Sequence, residues 1–189
     1  MNPKRLLRCR CGGQSLIEFT FVGIPLIFVL ISVFEISRGM WIYHTLAHAA
    51  KEGVRYASVH GFNCTQNGNT CAVNMGPVAN KCDGTNTSVA EVIRCAAIGL
   101  DPTKTNISFY TFPAGSTVKT LQGSCTLATG SCSATQYPPD LANQTNVYHV
   151  EIDITTPFNS ALAMLWPGAK PVSFTSGNLG ATSADTVKF

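Results

Sequence analysis

The sequence predicts an α+β protein: a long N-terminal membrane helix, then a small helix and an antiparallel sheet, with disulfide-bonded loops. Three observations carry this. The stretch from Leu16 to Phe34 is apolar throughout, with Glu18 as its only charge. Six cysteines lie beyond it, all on one side. Behind it, a short amphipathic segment is followed by runs in which apolar and polar residues alternate, the period of half-buried strands.

Composition narrows the classes of function. The chain has 189 residues, enough for one domain and a short appendage. Charged residues make up only 12% and hydrophobic ones 45%, which excludes a disordered, highly charged chain. The net charge of +3 is local. Lys4, Arg5, Arg8 and Arg10 fall among the first 13 residues, which contain no acid. Residues 14–189 hold nine Lys/Arg against ten Asp/Glu. The body of the chain therefore lacks the basic surface that nucleic acid requires, and no nucleic-acid partner is expected.

The apolar run is long enough to cross a bilayer. As a helix, Leu16–Phe34 would span ~28 Å, close to the ~30 Å hydrocarbon core. The basic residues just before it hold the N-terminus on the cytoplasmic side, so the rest of the chain is exported. A cleaved secretory signal would need a shorter run and a small-x-small site. Phe34-Glu35-Ile36-Ser37-Arg38 follows instead, which favours a single-pass anchor with membrane lipid around it.

Cysteine usage agrees with export. Cys9 and Cys11 sit in the basic leader, while Cys64, Cys71, Cys82, Cys95, Cys125 and Cys132 lie past the membrane run. An even set on one side suits an oxidising compartment. Fifteen pairings exist for six cysteines. Local spacing favours Cys64–Cys71, Cys125–Cys132 and Cys82–Cys95. Structural zinc prefers closely spaced C-x2-4-C pairs, and none of these gaps is that short, so no metal is expected here.

The chain divides into a leader (1–13), a long N-terminal helix (14–60) and an α+β head (61–189). The helix has a membrane part, 16–34, and an amphipathic part, 35–59. In the second part Ile36, Met40, Tyr43, Ala47, Ala50, Val54 and Ala57 step by fours and threes, the spacing of one helical face. Pro25 lacks a backbone N–H and is expected to loosen the helix locally. Gly61 to Gly84 has no sustained period and reads as a loop held by disulfides. Ser88-Val89-Ala90-Glu91 is a capping box that opens a helix over about Val89 to Ile98. Ile107–Phe112, Val118–Leu127 and Val147–Ile154 read as strands. In the last of these Val150, Ile152 and Ile154 face away from the acids. Asn159 to Trp166 reads as a short apolar helix and Pro171 to Phe189 as one or two closing strands. Sequential strands on short links predict an antiparallel sheet.

The start of the helix carries a recognisable pattern. Gly13-Gln14-Ser15-Leu16-Ile17-Glu18-Phe19 follows the basic leader and opens the apolar run. This resembles the processing site of type IV pilin-like proteins, in which a prepilin peptidase cuts after the glycine and the fifth mature residue is glutamate. With Glu35 ahead of Arg38, and AAKEGVRYA at the end of the helix, residues 10–60 resemble TadE-like proteins, minor pilins or pseudopilins of tight-adherence (Tad/Flp) pilus systems. The resemblance implies a type IV pilin-like fold and cleavage between Gly13 and Gln14. It also implies helix packing through Glu18, Pro25, Glu35 and Arg38, with a prepilin peptidase, other pilin-like subunits and the Tad inner-membrane assembly platform as partners. Glu18 would then pair with the new α-amine of Gln14. A carboxylate in lipid is costly and needs such a partner or a proton. No enzymatic activity and no cofactor are implied.

Other clusters point elsewhere. His44, His48 and Glu52 recur every fourth residue, and His60 lies nearby, but three ligands on one helix rarely close a tetrahedral metal site. Glu151 and Asp153 share a strand face, as a Ca²⁺ site would need, and His149 lies on the same face, where a His149–Asp153 hydrolase dyad can be imagined. No nucleophile elbow or Cys–His signature accompanies them. The sequence therefore predicts a structural protein of the inner membrane, with its N-terminus cytoplasmic and its head periplasmic. An uncleaved signal-anchored periplasmic binding module and a membrane-anchored periplasmic enzyme are the two alternatives.

Overall fold

The structure is a computed structural model, and it describes residues 14–61, 65–66, 69–70, 72–79, 81–82, 88–139, 147–158 and 178–187. The chain falls into two compact units, Met1–Ser37 and Arg38–Phe189. One helix, α1 (Gln14–Val59), contributes to both. The leader and the expected helix at 159–166 lie outside the described residues, as does the start of the closing segment, 171–177.

In the first unit, α1 runs through Pro25 as an unbroken helix. Its large apolar side chains are exposed from Leu16 to Phe34, apart from the half-buried Ile31. The described hydroxyls turn back onto the helix: Thr20 Oγ1 donates to Leu16 O and Ser32 Oγ to Phe28 O, both at 2.8 Å. Ser37 does the same to Val33 O. A helix in lipid must satisfy its polar groups internally, and these bonds do so. The helix is long and apolar enough to cross a membrane, and it fits a single-pass anchor.

In the second unit, short strands β1 (Thr65–Gln66) and β2 (Asn69–Thr70) form a small antiparallel pair inside the region read as loop. Helix α2 (Val89–Ala96) is capped as the sequence predicts: Ser88 Oγ accepts from Glu91 N at 3.3 Å. The same hydroxyl donates to Pro77 O at 3.0 Å. Four longer strands follow: β3 (Asn106–Pro113), β4 (Thr120–Thr126), β5 (Tyr148–Pro157) and β6 (Asn178–Thr186). They form one antiparallel sheet in the order β4-β3-β5-β6. Register slips between β3 and β4 after Phe109, with Gln122 the extra residue, and its amide donates to Thr111 Oγ1 at 2.7 Å.

One face of this sheet is core. Ile107 and Phe109 pair across to Ile154 and Ile152, and all four are fully buried. Against them lie Leu46, Ala49, Ala50, Val54 and Ala57 of α1, with Val89, Ala90 and Ile93 of α2. This bears out Ala50, Val54 and Ala57 of the helical face read from sequence, with Ala47 packed beside them, and corrects its N-terminal half. Met40 and Tyr43 are exposed, as is Ile36 in the first unit, and the buried stripe runs through Leu46, Ala49, Ala50, Gly53, Val54 and Ala57. The reason is close approach: a methyl on Gly53 would lie 2.5 Å from Ile93 Cγ1 and 3.3 Å from Ile152 Cδ1. Small residues, not the most apolar ones, let α1 lie against α2 and β5.

The Gly61–Gly84 region also differs from a loop held mainly by disulfides. Val73, Met75 and Val78 are buried in the core. Met75 N donates to Thr135 O at 2.7 Å and Gly76 N to Ser133 O at 2.8 Å, while Val89 N and Ala90 N donate back to Asn74 O and Met75 O. The segment is laced between α2 and residues 133–137 by its backbone, which periodicity does not register. Tyr137 completes this layer. Its ring meets Phe109 edge-on at 4.9 Å, and its hydroxyl lies 2.8 Å from Tyr110 O and 3.0 Å from Glu151 O. Burial pushes the phenol well above its ordinary value.

Candidate functional site

The segment singled out by sequence is the start of α1. The described helix begins at Gln14, and Gly13 lies outside the described residues. Glu18 sits one turn into the helix on an exposed surface, four residues after Gln14. At 1.5 Å per residue this is ~6 Å along the axis, the spacing at which helical side chains and termini meet. Pro25 is exposed within the helix, and Glu35 is buried. In the second unit, the Arg38 guanidinium lies over the Phe158 ring, 5.4 Å from its centre, a cation–π arrangement. Gly39, next in sequence, would bring a methyl to 3.7 Å from the same ring.

Two of the locally favoured disulfides are formed. Cys82 bonds Cys95, tying the stretch before α2 to that helix, and Cys125 bonds Cys132 across the turn after β4. The third favoured pair, Cys64 and Cys71, lies outside the described residues.

The weaker candidates take other partners. Glu151 accepts from Lys119 Nζ at 2.5 Å with its side chain almost wholly buried, and the same ammonium lies 5.9 Å from the centre of the Phe112 ring. Asp153 Oδ1 accepts from Thr182 Oγ1 at 3.2 Å. His149 stacks on Phe112, ring centres 5.2 Å apart, and its Nδ1 lies 3.3 Å from Thr186 Oγ1. His149 and Asp153 are four residues apart along a strand, so ~13 Å separates them, too far for a dyad. Glu52 pairs with Arg55 at 3.6 Å, and His60 turns onto Tyr56, with Nδ1 3.0 Å from Tyr56 O. Among the described residues, no three His, Cys, Asp or Glu side chains gather as metal ligands.

Sequence reasoning missed the part played by Gly53 and Tyr137. The small residues of AAKEGVRYA were a signal for Gly53, since Ala49, Ala50, Gly53 and Ala57 fall on one face and are all buried. Tyr137 lies in a Ser/Thr/Gln-rich stretch without period, and nothing local marks it as core.

No curated protein and no solved structure matches the chain. The apolar helix opened by Gln14 and closed by the packed AAKEGVRYA segment does have a counterpart: residues 13–55 match the family model of TadE-like protein.

Proposed function

We propose that this chain is a minor pilin or pseudopilin that takes part in assembling a Tad-type pilus or a related secretion filament. The observation that carries it is the TadE-like match over residues 13–55, which begins at Gly13 and takes in Glu18 at the head of an exposed apolar helix. The chain is made with its basic leader in the cytoplasm and its head in the periplasm, and a prepilin peptidase cuts after Gly13. The new α-amine of Gln14 then faces Glu18 on its own or a neighbouring subunit. An unpaired carboxylate at the start of a membrane helix is costly unless it is protonated or wetted by the headgroups, so this pairing favours helix–helix assembly. The exposed apolar helix packs with those of other pilin-like subunits, drawn from lipid by the inner-membrane assembly platform. No chemistry belongs to the chain itself; it is the peptidase's substrate.

The test is intact mass and N-terminal sequencing of membrane-extracted protein, from cells with and without the prepilin peptidase. A chain starting at Gln14 only when the peptidase is present is the expected result. A chain starting at Met1 in both would overturn the proposal and leave an uncleaved, signal-anchored binding module.

A further inference from the structure

The two described disulfides of the head sit in opposite surroundings. Cys125–Cys132 belongs to the core. Cys132 is 5% exposed and lies within the buried cluster, with Cys125 packed against it. Gly76 closes over this bond: a methyl there would come within 2.3 Å of Cys132 Cβ and 2.8 Å of its carbonyl carbon. Backbone bonds fix the crossing, from Met75 N to Thr135 O and from Gly76 N to Ser133 O. Cys82–Cys95 lies outside the core. Helix α2 gives Val89, Ala90 and Ile93 to the core, and Cys95 is only half-buried beside that face. Cys82 is exposed, as is Lys81 before it.

Access decides which disulfide can react in a folded protein. Exchange begins when a thiolate reaches one of the two sulfurs, so a bond packed in the core reacts only when the protein opens. A sulfur at the surface needs no such opening, and exposed disulfides are the labile ones.

We propose that Cys82–Cys95 is a thiol–disulfide exchange site, opened in the folded head by a dithiol reductant, whereas Cys125–Cys132 is a permanent staple. A thiolate of the reductant attacks the exposed Cys82 Sγ. The S–S bond breaks, and Cys95 leaves as a thiolate that takes up a proton. The reductant's second thiolate then attacks its own sulfur in the mixed disulfide, and Cys82 leaves and is protonated in turn. The cystine gains two electrons and two protons, and the reductant ends as a disulfide. The freed Cys95 thiol has an acceptor at hand, since its Sγ lies 3.3 Å from Lys81 O. Reduction unties residues 81–82 from α2. The helix stays in place through the buried Val89, Ala90 and Ile93 and through the Ser88 cap. The bond is thus a reversible tether on the surface of the head. This inference rests on the packing of the head and requires neither peptidase cleavage nor filament assembly.

The test exposes the oxidised full chain in detergent to dithiothreitol, traps free thiols with N-ethylmaleimide at successive times, and locates the label by peptide mass. Lys81 and Arg94 precede the two cysteines, so trypsin places Cys82 and Cys95 on separate peptides. Labelling of Cys82 and Cys95 should run about tenfold faster than that of Cys125 and Cys132, and urea should close the gap. Near-UV circular dichroism should keep its native signal once the first bond is open. A thioredoxin lacking its resolving cysteine should be trapped as a mixed disulfide on Cys82. Equal rates for the two bonds, or earlier opening of Cys125–Cys132, would overturn the proposal. So would labelling of Cys82 and Cys95 only in urea that unfolds the head, loss of the near-UV signal with the first bond, or a mixed disulfide carried by Cys95.

Discussion

Replacing Gly53 with alanine tests the packing of α1 directly. Ordinarily this change in a helix interior gains ~1 kcal/mol of propensity. Here the new methyl would lie 2.5 Å from Ile93 Cγ1, 2.8 Å from Ile93 Cδ1 and 3.3 Å from Ile152 Cδ1. Comfortable carbon–carbon separations are ~3.5–4.0 Å, so about 1 Å must be made up. Ile93 is fully buried, and its Cγ1 is attached directly to the β-carbon, so it moves only by leaving its rotamer or by shifting α2. Overpacking of this kind costs ~1–3 kcal/mol. With the propensity gain set against the upper part of that range, the net loss is about 1–2 kcal/mol, or roughly 2–8 °C in Tm. The assay is thermal and urea unfolding of the full chain in detergent, followed by near-UV circular dichroism. Ile93→Ala alone should cost about 2–5 kcal/mol. Combined with Gly53→Ala it should cost at least ~1 kcal/mol less than the two added, because the new methyl enters the space that Ile93 leaves. A stabilised Gly53→Ala protein, or strict additivity in the pair, would refute the close approach of α1 to α2.

Further outcomes follow from three places in the head. Tyr137→Phe removes a buried hydroxyl shared between Tyr110 O and Glu151 O and should cost about 1–3 kcal/mol, read by the same unfolding assay. Because burial raises this phenol above its ordinary 10.0, its contribution is complete below that pH and is lost as pH rises beyond it; Tyr137→Phe should flatten the alkaline fall in Tm. Replacing both Cys82 and Cys95 with serine opens a loop with sequence separation 13 and should cost ~3 kcal/mol on the chain-entropy account; an unchanged Tm would count against it. Bonds from Thr103, with Lys104 nearby, hold the Asp101 carboxyl below its usual 3.8, so the stability it adds is present above that pH and fades as pH falls through the lowered value. Asp101→Asn should therefore differ from the parent in Tm at pH 6 and converge on it in acid, once the pH is below the lowered value.

Much of the head is legible in the sequence where burial is one-sided. Val150, Ile152 and Ile154 meet the core on one face of β5 and alternate with Glu151 and Asp153 on the other, so the strand and its facing can be read, although not that the Lys119 pair buries Glu151 as well. The Ser88–Glu91 cap can be read for the same local reason: a side chain three residues away satisfies the helix's own N–H. Residues 72–79 and 133–137 cannot be read this way. Their order comes from backbone bonds to each other and to α2, and Gly76 admits no β-carbon, since a methyl there would come within 2.3 Å of Cys132 Cβ. Such non-local pairing leaves no period in either segment. The calcium and hydrolase possibilities at His149, Glu151 and Asp153 also need the register to be judged, because Lys119, Phe112, Thr182 and Thr186 come from other stretches of chain.

The misread face of α1 has a physical cause. A search for an apolar stripe at helical spacing takes in Ile36, Met40 and Tyr43 as readily as the alanines that follow them. Burial in this helix is instead governed by size, because α2 and β5 come close enough to reach the backbone at Gly53. Alanine and glycine therefore mark the closest approach on the packed face, with Leu46 and Val54 filling the space beside them, while Met40, Trp41 and Tyr43 are left outside it. The packed face of this stretch answers to the head's core, where α2 and β5 leave room for glycine and alanine at closest approach, and the Gly53–Ile93 cycle perturbs that face alone.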